Sequence, residues 1–91
     1  MITYEDYKKR VFEEAMKTEF KELSPKEVLE YFDKEDNYIR DMYDSDTNEE
    51  RFRKVYGNRD DFEEELAKFK NGDYLESGIS GTVYGLSMMY E

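Results

Sequence analysis

The chain has 91 residues with 24 acidic and 14 basic side chains, which give a net charge of −10. It contains no cysteine and no histidine, so disulfides, thiolate chemistry and the commonest general base are excluded. The acidic excess argues against direct binding to nucleic acid or to anionic membranes, since both need basic surface. We expect one domain over residues 1–91, with no signal peptide and no membrane span, in the cytoplasm.

The first predicted helix begins after Thr3, a residue type that caps helix N-termini, and extends to about Leu23. Its apolar residues recur at spacings of three and four, which is typical of one face of a helix. Because a proline disfavours helical geometry at the residue before it, Pro25 predicts that this helix ends before Ser24.

The second predicted helix has the clearest start signal in the chain, the sequence Ser24-Pro25-Lys26-Glu27. Serine at the cap, proline at the first helical position and glutamate two residues further on form a capping box. The polar sequence DKEDN then interrupts the apolar pattern. We expect one helix over residues 25–43, with a short break near Asp36–Asn37 as the alternative.

Two further helices are predicted in the second half of the chain. Thr47, with a glutamate three residues later, predicts the N-cap of a third helix, and Gly57 predicts a left-handed residue at its end. Asn58 is expected to begin a fourth helix, which Asn71–Gly72 would end.

The C-terminal segment differs from the rest, since residues 77–90 carry no charge and include Gly78, Gly81 and Gly85. Three interior glycines cost a helix about 3 kcal/mol relative to alanine, so only tertiary burial would hold such a helix. We expect a buried helix whose small face lets another helix approach closely; a strand, an extended arm and a disordered tail are the alternatives. The stripe that packs or docks is Ile79, Val83, Leu86 and Tyr90.

These elements predict an all-α fold, a compact bundle of four or five short amphipathic helices that includes the C-terminal segment 77–91. The expected core consists of Val11, Phe12, Met16, Phe20, Val28, Leu29, Phe32, Ile39, Phe52, Phe62, Leu66 and Phe69, completed by Ile79, Val83 and Leu86.

No metal site, cofactor site or catalytic site is expected. Asp44, Asp46 and Asn48 match the first ligands of an EF-hand loop, but Glu49 and Val55 occupy the positions that require glycine and glutamate. The C-terminal glycines lack the Gly-Lys-Ser/Thr sequence of a phosphate loop. We therefore interpret the first pattern as a polar loop before a helix, and the glycines as packing positions.

Negative charge is concentrated in residues 30–50, where nine acidic residues face only Lys34 and Arg40, a net charge of −7. Such a region is either a solvated surface or a face that binds a basic partner, with tyrosines adding apolar area. The predicted partner-binding acidic face consists of Glu30, Asp33, Glu35, Asp36, Asp41, Asp44, Asp46, Glu49 and Glu50, with Tyr38 and Tyr43.

Two functions follow from these features, and neither is enzymatic. The first is an acidic interaction module, such as an inhibitor or decoy from a phage or mobile element that mimics nucleic-acid charge and blocks the basic groove of a nucleic-acid-handling protein. The alternative is a small helical assembly or accessory subunit that associates, with itself or with another protein, through its C-terminal segment.

Overall fold

The computed structural model describes residues 1–90, and in this range the chain is helical with short connections and no strand. The helices are α1 (Tyr4–Lys17), α2 (Pro25–Lys34), α3 (Asp36–Asp46), α4 (Glu49–Tyr56), α5 (Phe62–Lys70) and α6 (Leu75–Met89). The all-α prediction is therefore confirmed. Counting α2 and α3 as one interrupted helix gives five helices, and counting them separately gives six.

The first two helices start where the sequence predicts. Thr3 Oγ1 accepts a hydrogen bond from the Asp6 amide at 3.2 Å, and both halves of the capping box at Ser24 are formed. However, α1 ends at Lys17 and does not continue to Leu23. The backbone bends at the next residue into a turn, in which the Phe20 amide donates to Ala15 O at 2.9 Å. This turn brings Phe20 back into the core, where it is buried.

The predicted continuous helix over residues 25–43 is wrong, because Glu35 interrupts it with φ −101° and ψ 23°. At this interruption the Glu35 amide donates to Tyr31 O at 3.0 Å, which is the last bond of α2, and the Ile39 amide donates to Glu35 O at 3.2 Å, which is the first bond of α3. No helical hydrogen bond from the amides of residues 36–38 to α2 spans the break, which lies one residue before the alternative site at Asp36–Asn37. Glu35 is the middle residue of the polar sequence DKEDN, which interrupts the apolar pattern, so the sequence does mark this position.

The cap of α4 is shifted by one residue from the prediction. Asn48, not Thr47, is the N-cap, and its side-chain oxygen accepts from the Arg51 amide at 3.0 Å. The Thr47 hydroxyl instead donates to Tyr43 O at 2.8 Å, at the end of α3. Thr47 is therefore the C-cap of α3, and Asn48 is the N-cap of α4.

Two glycine predictions have different outcomes. Gly57 has φ −62° and keeps right-handed geometry, because its amide still donates to Arg53 O at 2.8 Å. The chain consequently continues through a turn, and α5 starts at Phe62 after its cap Asp61, not at Asn58. The helix ends at Asn71–Gly72 as predicted, and Gly72 has φ +82°, the left-handed conformation that was predicted for Gly57.

The main core lies among α1, α2, α3 and α6, with α6 packed against both α1 and α3. A second, smaller core belongs to α4 and α5, where Phe52, Leu66 and Phe69 are buried together. The molecule is elongated, with extents of 46 × 21 × 20 Å. The main core consists of Tyr7, Val11, Ala15, Phe20, Val28, Phe32, Ile39, Leu75, Ile79, Val83 and Leu86.

The predicted core needs one clear correction, because Leu29 is 48% exposed. α2 contacts α1 and α3 through Val28 and Phe32, so the side of the helix that carries Leu29 remains in solvent. Three predicted core residues are only partly buried, and four buried residues were not in the prediction. The first group is Phe12, Met16 and Phe62, and the second is Tyr7, Ala15, Leu75 and Thr82.

The C-terminal segment forms the predicted buried helix, and two of its glycines allow close contact with α3. A β-carbon on Gly78 would lie 2.5–2.9 Å from the Asp46 carboxyl atoms, and one on Gly85 would overlap the Tyr38 hydroxyl. Gly81, in contrast, has no atom within 4 Å of that position. Side chains of α3, and not its backbone as predicted, thus occupy the space beside two of the glycines, and the third has no such neighbour.

Candidate protein-binding surface

Many carboxylates of the predicted acidic face already have a cationic partner within the chain. Lys8 Nζ lies 3.2 Å from Asp33 and 3.4 Å from Asp36, which also pairs with Arg40 at 2.6 Å. Glu49 pairs with Arg53 and Lys70, and Glu50 lies 4.0 Å from Lys54 Nζ. These pairs reduce the charge that this region presents to a partner.

Asp36 is the centre of a network that joins α3 to α1. It accepts a hydrogen bond from the Tyr4 hydroxyl at 2.6 Å, and the Arg40 guanidinium lies 4.2 Å above the Tyr4 ring. The hydrogen bonds from Tyr4, Arg40 and Lys8 lower the pKa of Asp36 to about 2. Burial and the bond to Asp36 raise the pKa of Tyr4. Asp36 therefore has a structural role in the fold.

Asp46 likewise faces inward, toward a polar contact inside the main core. The buried Tyr7 hydroxyl donates to Asp46 Oδ2 at 2.6 Å and lies 2.9 Å from Thr82 Oγ1. Thr82 Oγ1 also donates to Gly78 O at 2.9 Å. Burial first, and then the bond to Asp46, raise the pKa of Tyr7. This contact links α1, α3 and α6 at a single point.

The two tyrosines of the predicted face also pack inward. The Tyr43 hydroxyl donates to Ile2 O at 2.7 Å, and its ring meets the rings of Tyr4 and Tyr7 edge to face. Tyr38 packs against the main core beside Gly85. The spacing of Tyr38 and Tyr43 is compatible with the inward face of α3 and also with an exposed surface. The sequence alone therefore does not show which of these positions they occupy.

Glu30, Asp41 and Asp44 remain exposed, and within residues 1–90 they form no ion pair; we call them the outer carboxylates. Asp41 and Asp44 are three residues apart and therefore share one face of α3. Glu35 also has no ion pair but is half-buried, while the paired Asp33 is 76% exposed. The part of the predicted acidic face that is both exposed and without an ion pair thus consists of the three outer carboxylates.

An open cleft lies between α4 and the start of α6, and sequence reasoning did not predict it. Its volume is about 430 Å³, and we call it the aromatic cleft. The apolar lining is Phe52, Val55, Tyr56, Phe69 and Tyr74, and the polar lining is Ser45, Asp46, Asn48, Arg51 and Ser77.

Stacked rings form the wall of the aromatic cleft. Phe52 stacks on Phe69 with ring centroids 4.4 Å apart and on Tyr56 at 4.6 Å. Tyr74 comes from the turn before α6 and lies nearly parallel to Tyr56, at 6.3 Å and 8°. Val55 is 68% exposed at the edge. Apolar spacing indicates that Phe52 and Tyr56 share a helix face, but no local signal places Tyr74 opposite them.

The outer carboxylates of α3 lead directly to this cleft. Asp41 lies one helical turn before Ser45, and Asp44 directly precedes Ser45 in the chain. Ser45 and Asn48 both line the cleft. Exposed carboxylates and exposed aromatic surface therefore adjoin each other on one side of the molecule.

The outer face of α6 is a second unusual surface. Ile79, Val83 and Leu86 point into the core, whereas Tyr84 and Met88 are 59% and 69% exposed on the opposite side. No charged residue lies on this helix between residues 77 and 89. This face has the apolar composition of a contact surface, although the helix is already buried on its other side.

The described residues contain neither a metal-ligand cluster nor a membrane-spanning helix. Across residues 1–90, no group of three or more acidic side chains is arranged to hold a metal ion. None of the helices described above combines the length and apolar character needed to cross a membrane. A scan against protein-family models, a search of curated proteins and a search of solved structures each found no match.

Proposed function

We propose that the protein is a non-enzymatic acidic interaction module that binds the basic surface of a partner protein. The observation that carries this proposal is the set of outer carboxylates Glu30, Asp41 and Asp44, which are exposed and form no ion pair within residues 1–90. A charge that is not neutralised inside the chain remains available to a partner.

Rigid support favours recognition by these carboxylates. Asp41 and Asp44 lie on a helix that is anchored by buried Ile39 and by the Tyr43 hydrogen bond to Ile2. Because their backbone is fixed, little conformational freedom is lost when a partner binds. The overall charge of −10 attracts a basic partner over a distance and accelerates association.

The partner class that we favour is a nucleic-acid-handling protein, such as a restriction or RNA-guided nuclease of a host attacked by phages or mobile elements. Such proteins bind the nucleic-acid backbone in basic channels, and carboxylates held on helices satisfy the same lysines and arginines. In this proposal the protein acts as an inhibitor, because it occupies the channel and has no phosphodiester bond that the nuclease could cleave.

Inhibition of DNA cleavage tests this function. Cleavage by restriction and RNA-guided nucleases would be measured with the wild-type protein and with the triple variant Glu30→Gln, Asp41→Asn, Asp44→Asn. We expect the wild type to inhibit at least one of these enzymes, less so as salt rises from about 0.1 to about 0.5 M, since salt screens exposed charges. The triple variant should inhibit far more weakly.

A matched control separates the outer carboxylates from net charge. Asp60, Glu63 and Glu64 are exposed at the start of α5 and have no ion pair in the described residues, so Asp60→Asn, Glu63→Gln, Glu64→Gln removes equal charge elsewhere. This second triple variant should inhibit as the wild type does. Equal loss from both variants, or no inhibition of any enzyme tested, would contradict the proposed surface.

A second candidate function, self-association as an assembly subunit, is favoured by the outer face of α6. Two copies with a charge of −10 repel each other, and they approach with least repulsion through an uncharged face. Sedimentation velocity of the wild type and of a Tyr84→Glu, Met88→Glu variant tests this idea. A dimer that the variant abolishes supports it, and a wild-type monomer across the concentration range rejects it.

A further inference from the structure

We propose that the aromatic cleft receives an apolar side chain of the same basic partner, as the anchor of the interface. This inference rests on the proposed function and adds to it the chemistry of the segment that binds. The partner segment would carry lysines or arginines that face the outer carboxylates and one large apolar side chain, such as tryptophan or leucine, that enters the cleft.

The cleft has the size and lining of an anchor site. Its volume of about 430 Å³ falls within the roughly 300–1,000 Å³ of known binding pockets. Phe52 and Phe69 are almost fully buried and hold the inner wall in place, while Val55 and Tyr74 leave apolar surface exposed to solvent. Exposed apolar surface beside a rigid wall is where interface anchors bind.

Charge around the cleft selects a cationic segment. The approach along α3 carries Asp41 and Asp44, and Asp46 lines the cleft with only Oδ2 engaged by Tyr7. Arg51 is the only cation in the lining, and its guanidinium donates to Ser45 Oγ at 2.7 Å. Arg59 lies 5.4 Å over the ring of Tyr56, beside the lining. Three carboxylates against these two guanidiniums still leave a negative approach, which disfavours a second copy of this acidic chain as the occupant.

The anchor and the charges should contribute in different ways. Carboxylates outside the cleft speed association and make it dependent on salt, whereas a buried apolar anchor slows dissociation. Removal of a large apolar side chain from such a site weakens binding by about 10- to 100-fold. The two parts of the interface can therefore be tested separately.

Three short synthetic peptides serve as the probe. The first is rich in lysine and arginine with one central tryptophan, the second has alanine in place of tryptophan, and the third keeps the tryptophan but has glutamine in place of every basic residue. Affinities would be measured by isothermal titration calorimetry. The basic tryptophan peptide should bind about 10- to 100-fold tighter than the alanine peptide and should shift the NMR signals of the Val55 methyl groups.

A cleft-filling variant with a matched control completes the test. Ser77 lies at the edge of the cleft and Ser80 lies away from it, and both are exposed on α6. In Ser77→Trp the tryptophan peptide should lose its advantage over the alanine peptide, whereas in Ser80→Trp it should keep it. Self-association of the wild-type protein that Ser77→Trp abolishes would instead assign the cleft to a second copy and overturn the inference.

The peptide comparison on the wild type alone decides the inference, even if a variant fails to fold. Equal binding of the tryptophan and alanine peptides, with salt dependence retained, overturns the anchor and leaves the proposed acidic function intact. Binding of the glutamine peptide as tightly as the basic tryptophan peptide overturns the role of charge instead. The failure of one proposal is thus distinguishable from the failure of the other.

Discussion

Alanine substitutions at the three interior glycines of α6 should change stability in opposite directions. All three lie in one helix, so each substitution brings the same intrinsic gain in helix propensity, about 0.8–1 kcal/mol. The surroundings differ, because Gly78 and Gly85 face α3 at close range while Gly81 faces open space. The sign of each change therefore reports the contact at that position.

Gly81→Ala should raise the free energy of unfolding by about 0.5–1 kcal/mol. No atom lies within 4 Å of the added carbon, so no contact opposes the gain in propensity. For a domain of this size, 1 kcal/mol corresponds to a rise in Tm of about 4–8 °C.

Gly78→Ala should lower the free energy of unfolding by about 2 kcal/mol or more. The added carbon would lie 2.5–2.9 Å from the Asp46 carboxyl atoms, so that side chain must move away. Movement of Asp46 breaks its hydrogen bond from Tyr7, and a bond to a charged group contributes about 1.5–3 kcal/mol. Overpacking adds about 1–3 kcal/mol, and these losses exceed the gain in propensity.

Gly85→Ala should also destabilise the protein, because the Tyr38 ring would have to shift to avoid the added carbon. Overpacking costs of about 1–3 kcal/mol exceed the propensity gain of about 1 kcal/mol over most of that range. Tyr38 has no hydrogen bond in the described residues, so the loss should be smaller than at Gly78.

Urea denaturation followed by circular dichroism would measure the three free energies, with thermal unfolding as a second readout. The expected order of stability is Gly81→Ala, wild type, Gly85→Ala, Gly78→Ala. If all three variants were stabilised to the same degree, the close contact between α6 and α3 would be refuted. If Gly81→Ala were strongly destabilised, its exposed position would be refuted.

Three further predictions concern the polar contacts between helices. Tyr7→Phe should lower the free energy of unfolding by about 1.5–3 kcal/mol in urea denaturation, because Asp46 and Thr82 lose a shared partner; an unchanged midpoint would refute this contribution. The pKa of Asp36 is lowered from 3.8 to about 2, so its contribution is complete above pH 4 or so and is lost as pH falls toward about 2. Thermal unfolding across this range should show a shallower decline for Asp36→Asn than for the wild type, and parallel curves would contradict the ion network. The pKa of Tyr4 is raised above 10.0, so its contribution is complete below pH 10 and is lost as pH rises through the higher folded value. Stability of the wild type should therefore fall above pH 10 or so more steeply than that of Tyr4→Phe, and an identical fall would argue against the Tyr4 contact.

Local chemistry explains which parts of the fold the sequence predicts correctly. The capping box at Ser24 and the helix end at Asn71–Gly72 depend on neighbouring residues alone, and both are found as predicted. The C-terminal helix follows from the register of Ile79, Val83 and Leu86, because a segment without charge needs burial and all three are buried. Each of these features is determined by residues that are close together in the sequence.

The remaining features depend on partners that are distant in sequence. Tyr7 and Asp46 are 39 residues apart, so no spacing rule shows that their hydrogen bond occupies a carboxylate of the predicted acidic face. Tyr74 closes the aromatic cleft from the turn before α6, and its position opposite Tyr56 depends on how α6 packs. The break at Glu35 differs from these features, because it lies inside the polar sequence DKEDN and its signal is local.

The most direct test of the account compares the two charge-matched triple variants with the basic tryptophan peptide over a range of salt concentrations. Neutralisation of Glu30, Asp41 and Asp44 should weaken binding and flatten its dependence on salt, because the ion pairs with the peptide are lost. Neutralisation of Asp60, Glu63 and Glu64 should leave both the affinity and its dependence on salt nearly unchanged. Equal effects of the two variants on affinity and on salt dependence would show that only net charge matters, and would contradict a defined acidic binding surface on α2 and α3.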